Sequence, residues 1–399
     1  MKLRYMMYAL LLMQGLYAST YTLDRVLEST KKHGVLTKAQ YYERLSLEAK
    51  NRADTAGDPF SLTAEGTHAA PHLDKSGTEY SIGLSKKIMM PGVLSQEQRI
   101  TQLSNDAYML EKEMELLDFE NGLKNLYHQY CLDVQNYRSF RASYLDFVKL
   151  YKKKQKAYLY QEISKMELIQ LETEKNRLNA QLQALKMQQS ISRRKLLILG
   201  SIPEKETVVF SCQDMYPVRR KVDYTKSLSL SKKAYKKRIQ STEETLKRYS
   251  RAIESIDTYA QYTNELDTER YSIGISIPLN FTSRRFEEER AAAMYKNSAL
   301  QYKFEQHMRQ KQSALMELHS QLQSHALMID ALRKNEYDYT KKLFPMVQKS
   351  FDLGEISVLE YLMNRQKLYQ IRQAIYAEKE AYYTTLFRLY TISETKDKK

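Results

Sequence analysis

The chain has 399 residues, with 63 Lys and Arg against 48 Asp and Glu, for a formal charge of +15. Only 11 Gly and 7 Pro occur, which excludes frequent tight turns, while the dominant Leu, Lys, Glu, Gln, Ala and Met all favour helix. There is no Trp but there are 32 Tyr, whose ring and hydroxyl suit large interfaces and membrane–water boundaries better than small dry cores.

Residues 1–18 read as a secretory signal peptide. Lys2 and Arg4 charge its start, Tyr5 to Leu12 is apolar, and Leu16-Tyr17-Ala18 precedes a cleavage point before Ser19. The apolar run is short for a span of ~30 Å, and no later segment is apolar for long enough to be a membrane helix. No Cys stands at the cleavage point to carry a lipid. Export past the inner membrane argues against a nucleic-acid partner in spite of the charge. The clusters Lys152-Lys153-Lys154, Arg193-Arg194-Lys195 and Lys232-Lys233 with Lys236-Lys237-Arg238 lie in helical sequence near acids and read as solvated faces, with a docking role open for the first. Cys131 and Cys212 are the only cysteines, one in helical sequence and one beyond the next helix; whether they pair is left open.

A periplasmic helix occupies 19–57, running from Leu23 to Lys50 until Thr55-Ala56-Gly57-Asp58-Pro59 stops it. In 58–90 two segments alternate apolar and polar residues. Phe60, Leu62 and Ala64 share a face, as do Tyr80, Ile82 and Leu84, with a loop over 69–76 between the two. Segment 91–200 is a long helical hairpin, free of proline from Val93 to Ile198. Its seam of Leu168, Leu171, Leu178, Leu182, Leu185 and Leu196 is interrupted by Lys175, Gln189 and Ser192, so it is coiled-coil-like but not a dry zipper. A fold-back near Tyr158 to Ser164 divides it into helices of ~60 and ~35 residues. Residues 201–226 form an irregular segment with a short strand at Val208-Val209-Phe210, and 227–254 a further helix. Two more strands fill 255–281: Ile256, Thr258, Ala260 and Tyr262 share a face, as do Tyr271, Ile273, Ile275, Ile277 and Leu279. A second helical hairpin covers 282–394, broken near Gly354, and 395–399 is a tail.

The phrase Tyr80-Ser81-Ile82-Gly83-Leu84-Ser85 recurs 191 residues later as Tyr271-Ser272-Ile273-Gly274-Ile275-Ser276. Glu162-Ile163-Ser164 recurs 193 residues later as Glu355-Ile356-Ser357. Two anchors that agree this closely make the chain one unit written twice: helix, two strands, long helical hairpin. Four amphipathic strands cannot close a membrane barrel, because the smallest have about eight, and open edges in lipid are prohibitively costly. A barrel shared between subunits resolves this. Two subunits give eight strands and a filled interior; three give twelve and a channel. Ser81, Gly83, Ser85, Ser272, Gly274 and Ser276 would then line the lumen, and the Ile, Leu and Tyr faces would meet lipid.

Tyr271 to Leu279 followed by Arg284-Arg285, together with Phe351-Asp352-Leu353-Gly354-Glu355-Ile356-Ser357-Val358-Leu359-Glu360-Tyr361-Leu362, resemble a TolC-type outer-membrane efflux protein. With the repeat, the likeness covers essentially all of the sequence after the signal. It implies a membrane β-barrel plus an α-helical barrel: a homotrimer closing a twelve-stranded barrel in outer-membrane lipid of a Gram-negative bacterium, with a coiled-coil-like tunnel in the periplasm. It also implies an exit duct of a tripartite efflux system, served by a periplasmic adaptor and an inner-membrane pump. By the same resemblance, Gly354 makes the turn between two long helices and Glu355, Ile356 and Ser357 start the return helix. Gln161, Glu162, Ile163 and Ser164 form the tip of the first hairpin, and both tips would meet the adaptor. Glu360 matches an acid that faces the periplasmic aperture, so three copies would form a negative ring. A second acid one turn on is replaced by Met363, with Asn364 beside it, so a single ring is expected.

Departures from the family pattern carry further expectations. Gln161 stands where the second hairpin has Gly354, so the first turn must be shaped differently or place its glycine-like position elsewhere. Phe351 lacks a tyrosine hydroxyl and Ile356 replaces a basic residue, so tip closure should depend on apolar packing more than on polar restraints. Only the second copy carries Gly354 and Glu360, which puts the expected gate there. The spacing from Pro345 to Gly354 leans toward the metal-efflux branch, yet no metal site accompanies it, since His68 and His72 lie in a loop without further ligands. No phosphate loop, nucleophile motif or ligand cluster points to an enzyme or a cofactor. The competing reading is a periplasmic coiled-coil scaffold or adaptor without a pore, which would have no use for lipid-facing strands.

Overall fold

The computed structural model describes residues 20–70, 76–204, 208–226, 228–279 and 284–396; the signal segment, His72 and Ser227 lie outside them. In chain order the elements are β1 (Thr20–Tyr21), α1 (Leu23–His33), α2 (Val35–Asp54), β2 (Ser61–Ala69), β3 (Gly77–Met89), α3 (Pro91–Leu159), α4 (Lys165–Leu199), β4 (Val209–Phe210), α5 (Ser229–Arg248), β5 (Ser255–Asn264), β6 (Glu269–Ser276), α6 (Arg284–Asp338), a π turn (Tyr339–Leu343), α7 (Phe344–Asp352) and α8 (Val358–Ser393). They form two compact units. The first takes the described residues of 1–39, 114–227 and 311–399; the second takes those of 40–113 and 228–310.

In the first unit, one end of the core gathers Leu23, Val26, Leu123, Tyr127, Leu196, Ile202 and Phe210, and the other gathers Phe140, Phe147, Leu171, Leu178, Phe351 and Tyr361. The irregular segment after β4 is fastened to this bundle at several points. β4 pairs in parallel with β1. Cys131 and Cys212 form a disulfide with Cα atoms 5.5 Å apart, which settles the pairing left open above. His128 is fully buried; its Nδ1 lies 2.8 Å from the Lys124 carbonyl and its Nε2 accepts the Tyr216 N–H at 2.9 Å. That arrangement needs the neutral Nδ1–H imidazole, because a carbonyl only accepts and an amide N–H only donates. Tyr382 accepts the Arg219 N–H at 2.9 Å and donates to the Arg219 carbonyl at 3.1 Å, and Tyr383 donates to the Tyr216 carbonyl. Tyrosines thus act as struts whose rings pack and whose hydroxyls satisfy loop backbone. Burial pushes the Tyr383 hydroxyl up to about 12, keeping it a donor across the physiological range.

In the second unit, β2-β3-β5-β6 form one four-stranded sheet in that order, each pair antiparallel. Beside it, α5 packs through short side chains: Ser241 meets Ser104 at 2.8 Å and Thr242 donates to Asn297 at 2.9 Å. Lys237–Asp106 at 2.8 Å and Arg238–Glu111 at 2.6 Å flank that contact.

Several boundaries differ from the expectation, each for a local reason. The helix expected from Leu23 to Lys50 is two helices, because the chain leaves helical geometry at Gly34 (φ −62, ψ 137). His68 lies in β2 and not in a loop. β6 stops at Ser276, before Ile277 and Leu279, since Pro278 cannot donate to a ladder. The helix expected over 227–254 runs only from Ser229 to Arg248. The second hairpin carries a π turn at Tyr339–Leu343, where the Phe344 N–H reaches back to the Tyr339 carbonyl. Pro345 follows directly; its ring would crowd the carbonyl four residues back, and widening the turn relieves that.

The disulfide closes a loop with a sequence separation of 81, which corresponds to about 4–5 kcal/mol in the chain-entropy account. Replacing both cysteines by serine should lower the unfolding midpoint of the detergent-solubilised protein, and reductant should bring the wild type to the same midpoint without moving the variant.

Candidate functional site

Both hairpin tips are built alike. At the first, α3 ends at Leu159, and the Gln161 N–H bonds the Tyr158 carbonyl at 3.0 Å while the Glu162 N–H reaches the Ala157 carbonyl at 3.0 Å. At the second, Gly354 bonds Phe351 at 3.2 Å and Glu355 reaches Ser350 at 2.8 Å. This pair of bonds is the Schellman arrangement, which requires a left-handed residue after the helix. Gly354 takes it with φ +78, and so does Gln161 with φ 60. The expectation of a differently shaped first turn is therefore corrected: the geometry is the same, and Gln161 bears the Cβ crowding, about 1–2 kcal/mol. Ile163 and Ile356 precede the next helices and are half-buried.

The return helices start with identical capping boxes. Glu167 N–H donates to Ser164 Oγ at 3.2 Å and Ser164 N–H donates to the Glu167 carboxylate at 2.9 Å. In the second copy Glu360 N–H donates to Ser357 Oγ at 3.2 Å and Ser357 N–H donates to the Glu360 carboxylate at 2.8 Å. Bonds from the Ser357 backbone and then its hydroxyl hold the Glu360 carboxyl below the usual range. Glu167 is thus the counterpart of Glu360, and the expectation that only the second copy carries this acid is corrected. The Ser-x-x-Glu spacing that signals a capping box is present at both places in the sequence. Of the neighbours, Met363 is exposed, whereas Asn364 accepts the Tyr339 hydroxyl at 3.0 Å on its side chain and donates to the Glu360 carbonyl at 2.9 Å.

Side by side, the tips are joined by both apolar and polar contacts. Within the second hairpin Phe351 stacks on Tyr361 with centroids 4.3 Å apart; from the first, Lys154 lies over Phe351 at 4.4 Å and Lys153 pairs with Asp352 at 3.6 Å. Arg365 lies over the Phe147 ring at 4.9 Å and donates to the Ser143 carbonyl. One heptad on, Arg372 donates to Ser143 Oγ at 3.3 Å and to Glu336 at 2.9 Å. Ser143, Arg365 and Arg372 border a cavity of about 430 Å³ with Arg177 and Tyr369. Apolar packing is present as expected, but polar restraints are present too. Arg365 and Arg372 were not singled out from sequence; their seven-residue spacing on α8 was the available signal.

The sheet sorts its side chains as expected at the predicted positions that lie in strands, whereas Phe60 precedes β2 and Ile277 and Leu279 follow β6. Register places Thr63 opposite Gly83, Gly83 opposite Gln261 and Gln261 opposite Ser272. Ser81, Gly83, Ser85, Ser272, Gly274 and Ser276 therefore share one face, with Glu65, Glu79, Lys87, Asp257 and Arg270. Among the described strand residues Tyr259 is the only ring there; a Cβ on Gly274 would stand 2.4 Å from it, so Gly274 makes room for that ring. The opposite face carries Leu62, Tyr80, Ile82, Leu84, Ile256, Ala260, Tyr262, Tyr271, Ile273 and Ile275. It is uncovered: Ile273 is 90% exposed and Tyr271 75%. Tyr80, Tyr262 and Tyr271 form a row across it, with centroids 6.1 and 5.1 Å apart. Among the described residues no helix is long and apolar enough to cross a membrane, and no group of three or more His, Cys, Asp and Glu could hold a metal ion.

Gln161→Gly should stabilise the first tip by about 1 kcal/mol, whereas Gly354→Gln should cost the second a similar amount; hydrogen exchange at the flanking helix ends would read both. Ser357→Ala should weaken the start of α8 by about 1 kcal/mol, and Ser164→Ala should do the same at α4.

No family model matches the chain and no curated protein matches it by sequence. Among solved structures, the CmeC outer membrane channel of Campylobacter jejuni is similar over 93% of this chain and 85% of that one, at 15% identity and a TM-score of 0.75. CusC, described by its folding and transmembrane channel formation, is similar over 93% and 91% at 14% identity, also with a TM-score of 0.75. The outer membrane protein VceC of Vibrio cholerae is similar over 93% and 95% at 12% identity, with a TM-score of 0.72. The equal likeness to CmeC and CusC does not select a metal-efflux branch. This chain has the fold of the TolC-type outer-membrane channels, the family that its repeated strands and hairpin tips resemble in sequence.

Proposed function

We propose that this protein is a homotrimeric outer-membrane channel, the exit duct of a tripartite efflux system that receives its cargo from an inner-membrane pump through a periplasmic adaptor. The observation that carries the reading is the sheet with one polar face, one uncovered apolar face and two open edges. Because its four strands alternate in direction, β6 of one copy is antiparallel to β2 of the next, so rotation about an axis closes the wall. Three copies give twelve strands, enough for a lumen. Ser81, Gly83, Ser85, Ser272, Gly274 and Ser276 then face that lumen and the apolar face meets lipid. On β3 the apolar positions run from Tyr80 to Leu84 and resume at Ile88 past Lys86, together about 27 Å along the strand at ~3.4 Å per residue, or ~20 Å across a membrane at the usual barrel tilt of ~40°. The tyrosine row suits the aromatic belt of such a wall. A periplasmic scaffold without a pore would leave this face in water, against the hydrophobic effect.

The tips, Gln161 to Ser164 and Gly354 to Ser357, are the adaptor-facing end, and Glu360, Met363 and Asn364 border the periplasmic aperture. Three Glu360 carboxylates form the negative ring, and Arg365 and Arg372 hold the second hairpin against Ser143 of the first. Cargo is chosen by the pump, so the duct needs no binding site or catalytic group of its own.

The reading predicts a heat-modifiable trimer in outer-membrane fractions that forms cation-preferring pores in planar bilayers; a monomer released without detergent would defeat it. Glu360→Gln keeps an amide able to close the capping box while removing the charge, so it should reduce cation preference without unfolding α8. Unchanged selectivity would remove Glu360 from the aperture. Arg365→Ala should raise conductance by loosening the contact between hairpins.

A further inference from the structure

The duplication makes the charge of the two tips directly comparable, and they differ. On the last three turns of α3, Lys149, Lys152, Lys153 and Lys156 stand at helical spacings of three and four, so they form one exposed stripe. The positions 193 residues later are Lys342, Pro345, Met346 and Lys349, so the second hairpin reaches the same turn geometry without the stripe. Folding of a tip therefore does not call for it. Favourable interaction with the helix dipole accounts for Lys156 alone, because the effect fades within the last turn. Lys165 adds positive charge at the first residue of α4, where the dipole opposes it; its counterpart is Val358.

Acids engage half of the stripe, Lys149 through Asp146 at 3.2 Å and Lys153 through Asp352 at 3.6 Å, and leave Lys152 and Lys156. Glu167 and Glu360 close capping boxes, Glu355 accepts the Ser350 hydroxyl at 2.8 Å, and Asp352 is engaged by Lys153. Among the described residues no acid lies within ion-pair distance of Lys152 or Lys156. The same end is also apolar: Leu159 is 75% exposed, Tyr160 77%, and Leu353, the counterpart of Tyr160, 63%. Large apolar side chains at a turn, ringed by lysines on one hairpin only, are the makings of a docking surface with a sign.

We propose that the first hairpin tip is the electrostatic half of the periplasmic docking surface, and that its partner presents an acidic surface whose carboxylates meet Lys152 and Lys156 while an apolar centre meets Leu159 and Tyr160. The proposal rests on the duct reading, which supplies the periplasmic partner, and it adds that partner's chemistry. The second tip, lacking the stripe, contributes apolar contact through Leu353.

The probe is a fluorescein-labelled helical-hairpin peptide whose loop carries Leu flanked by glutamates, titrated by anisotropy against the full-length trimer in detergent. The control is the same peptide with glutamines. The acidic peptide should bind about tenfold tighter at low salt, lose that advantage at roughly 0.5 M salt, and lose it also with Lys152→Gln/Lys156→Gln. Tyr160→Ala should weaken both peptides. Equal binding of the two peptides would overturn the proposal, as would a preference that survives the lysine changes, or capture of the trimer by phosphatidylglycerol vesicles in place of the acidic peptide. Conductance of the same preparations in planar bilayers needs no partner and separates the two readings. Pores formed by a trimer that binds the acidic and glutamine peptides equally sink this inference alone, whereas no pores at all sink the duct. Intact conductance in the lysine variant shows that it folds.

Discussion

The outer edges of β2 and β6 present backbone N–H and C=O groups that no other described strand reaches, and the side chains on one face between them leave those groups no good aqueous solution. Water would solvate the edges but not Ile273, Ile275 or Leu62; lipid would accept those side chains but leave the edges unsatisfied. Both demands are met at once only when another strand covers each edge. The even number of alternating strands makes the two edges complementary, so copies of the same chain can supply that cover. The shared wall proposed for the duct follows from this constraint.

Much of this was legible in the sequence because it depends on short-range pattern. Strand alternation around Tyr80 and Tyr271 fixes which side chains share a face, and the recurrence of Glu-Ile-Ser places both turns. What was not legible depends on partners distant in sequence or on a single backbone event. β1 is two residues long and exists only because Val209 and Phe210 pair with it. The disulfide needs two Cα atoms brought together across a whole helix. The π turn is a response to Pro345 that leaves no mark on periodicity. Arg365 and Arg372 become restraints only when Ser143 of the other hairpin is beside them.

The capped turns refine what duplication means here. From residue types alone Gly354 and Gln161 look like different solutions, but φ values of 78 and 60 make them the same one. The backbone of the tip is held by the Schellman bonds and the capping box, and these tolerate a strained Gln. Difference between the copies lies instead in what the turns display, a lysine stripe beside exposed Leu159 and Tyr160 on one and exposed Leu353 without that stripe on the other. Shared backbone with divergent surface is what a docking end requires when two similar hairpins must meet a partner in different ways.

Glu360 combines two duties that are easily confused. Its carboxylate satisfies the start of α8, and Glu167 does the same at α4, so the acid would be present at this spacing even in a protein without a pore. Any role at an aperture is added to that one and must come from charge, not from the hydrogen bond. The neighbouring Asn364 shows how such a site would be coupled to the rest of the hairpin. It donates to the carbonyl of Glu360 and accepts the hydroxyl of Tyr339, the first residue of the π turn. Movement of the tip would therefore strain a turn that Pro345 already keeps from closing as regular helix. That places the π turn of the second hairpin within one hydrogen-bonded residue of the charge that would face the opening.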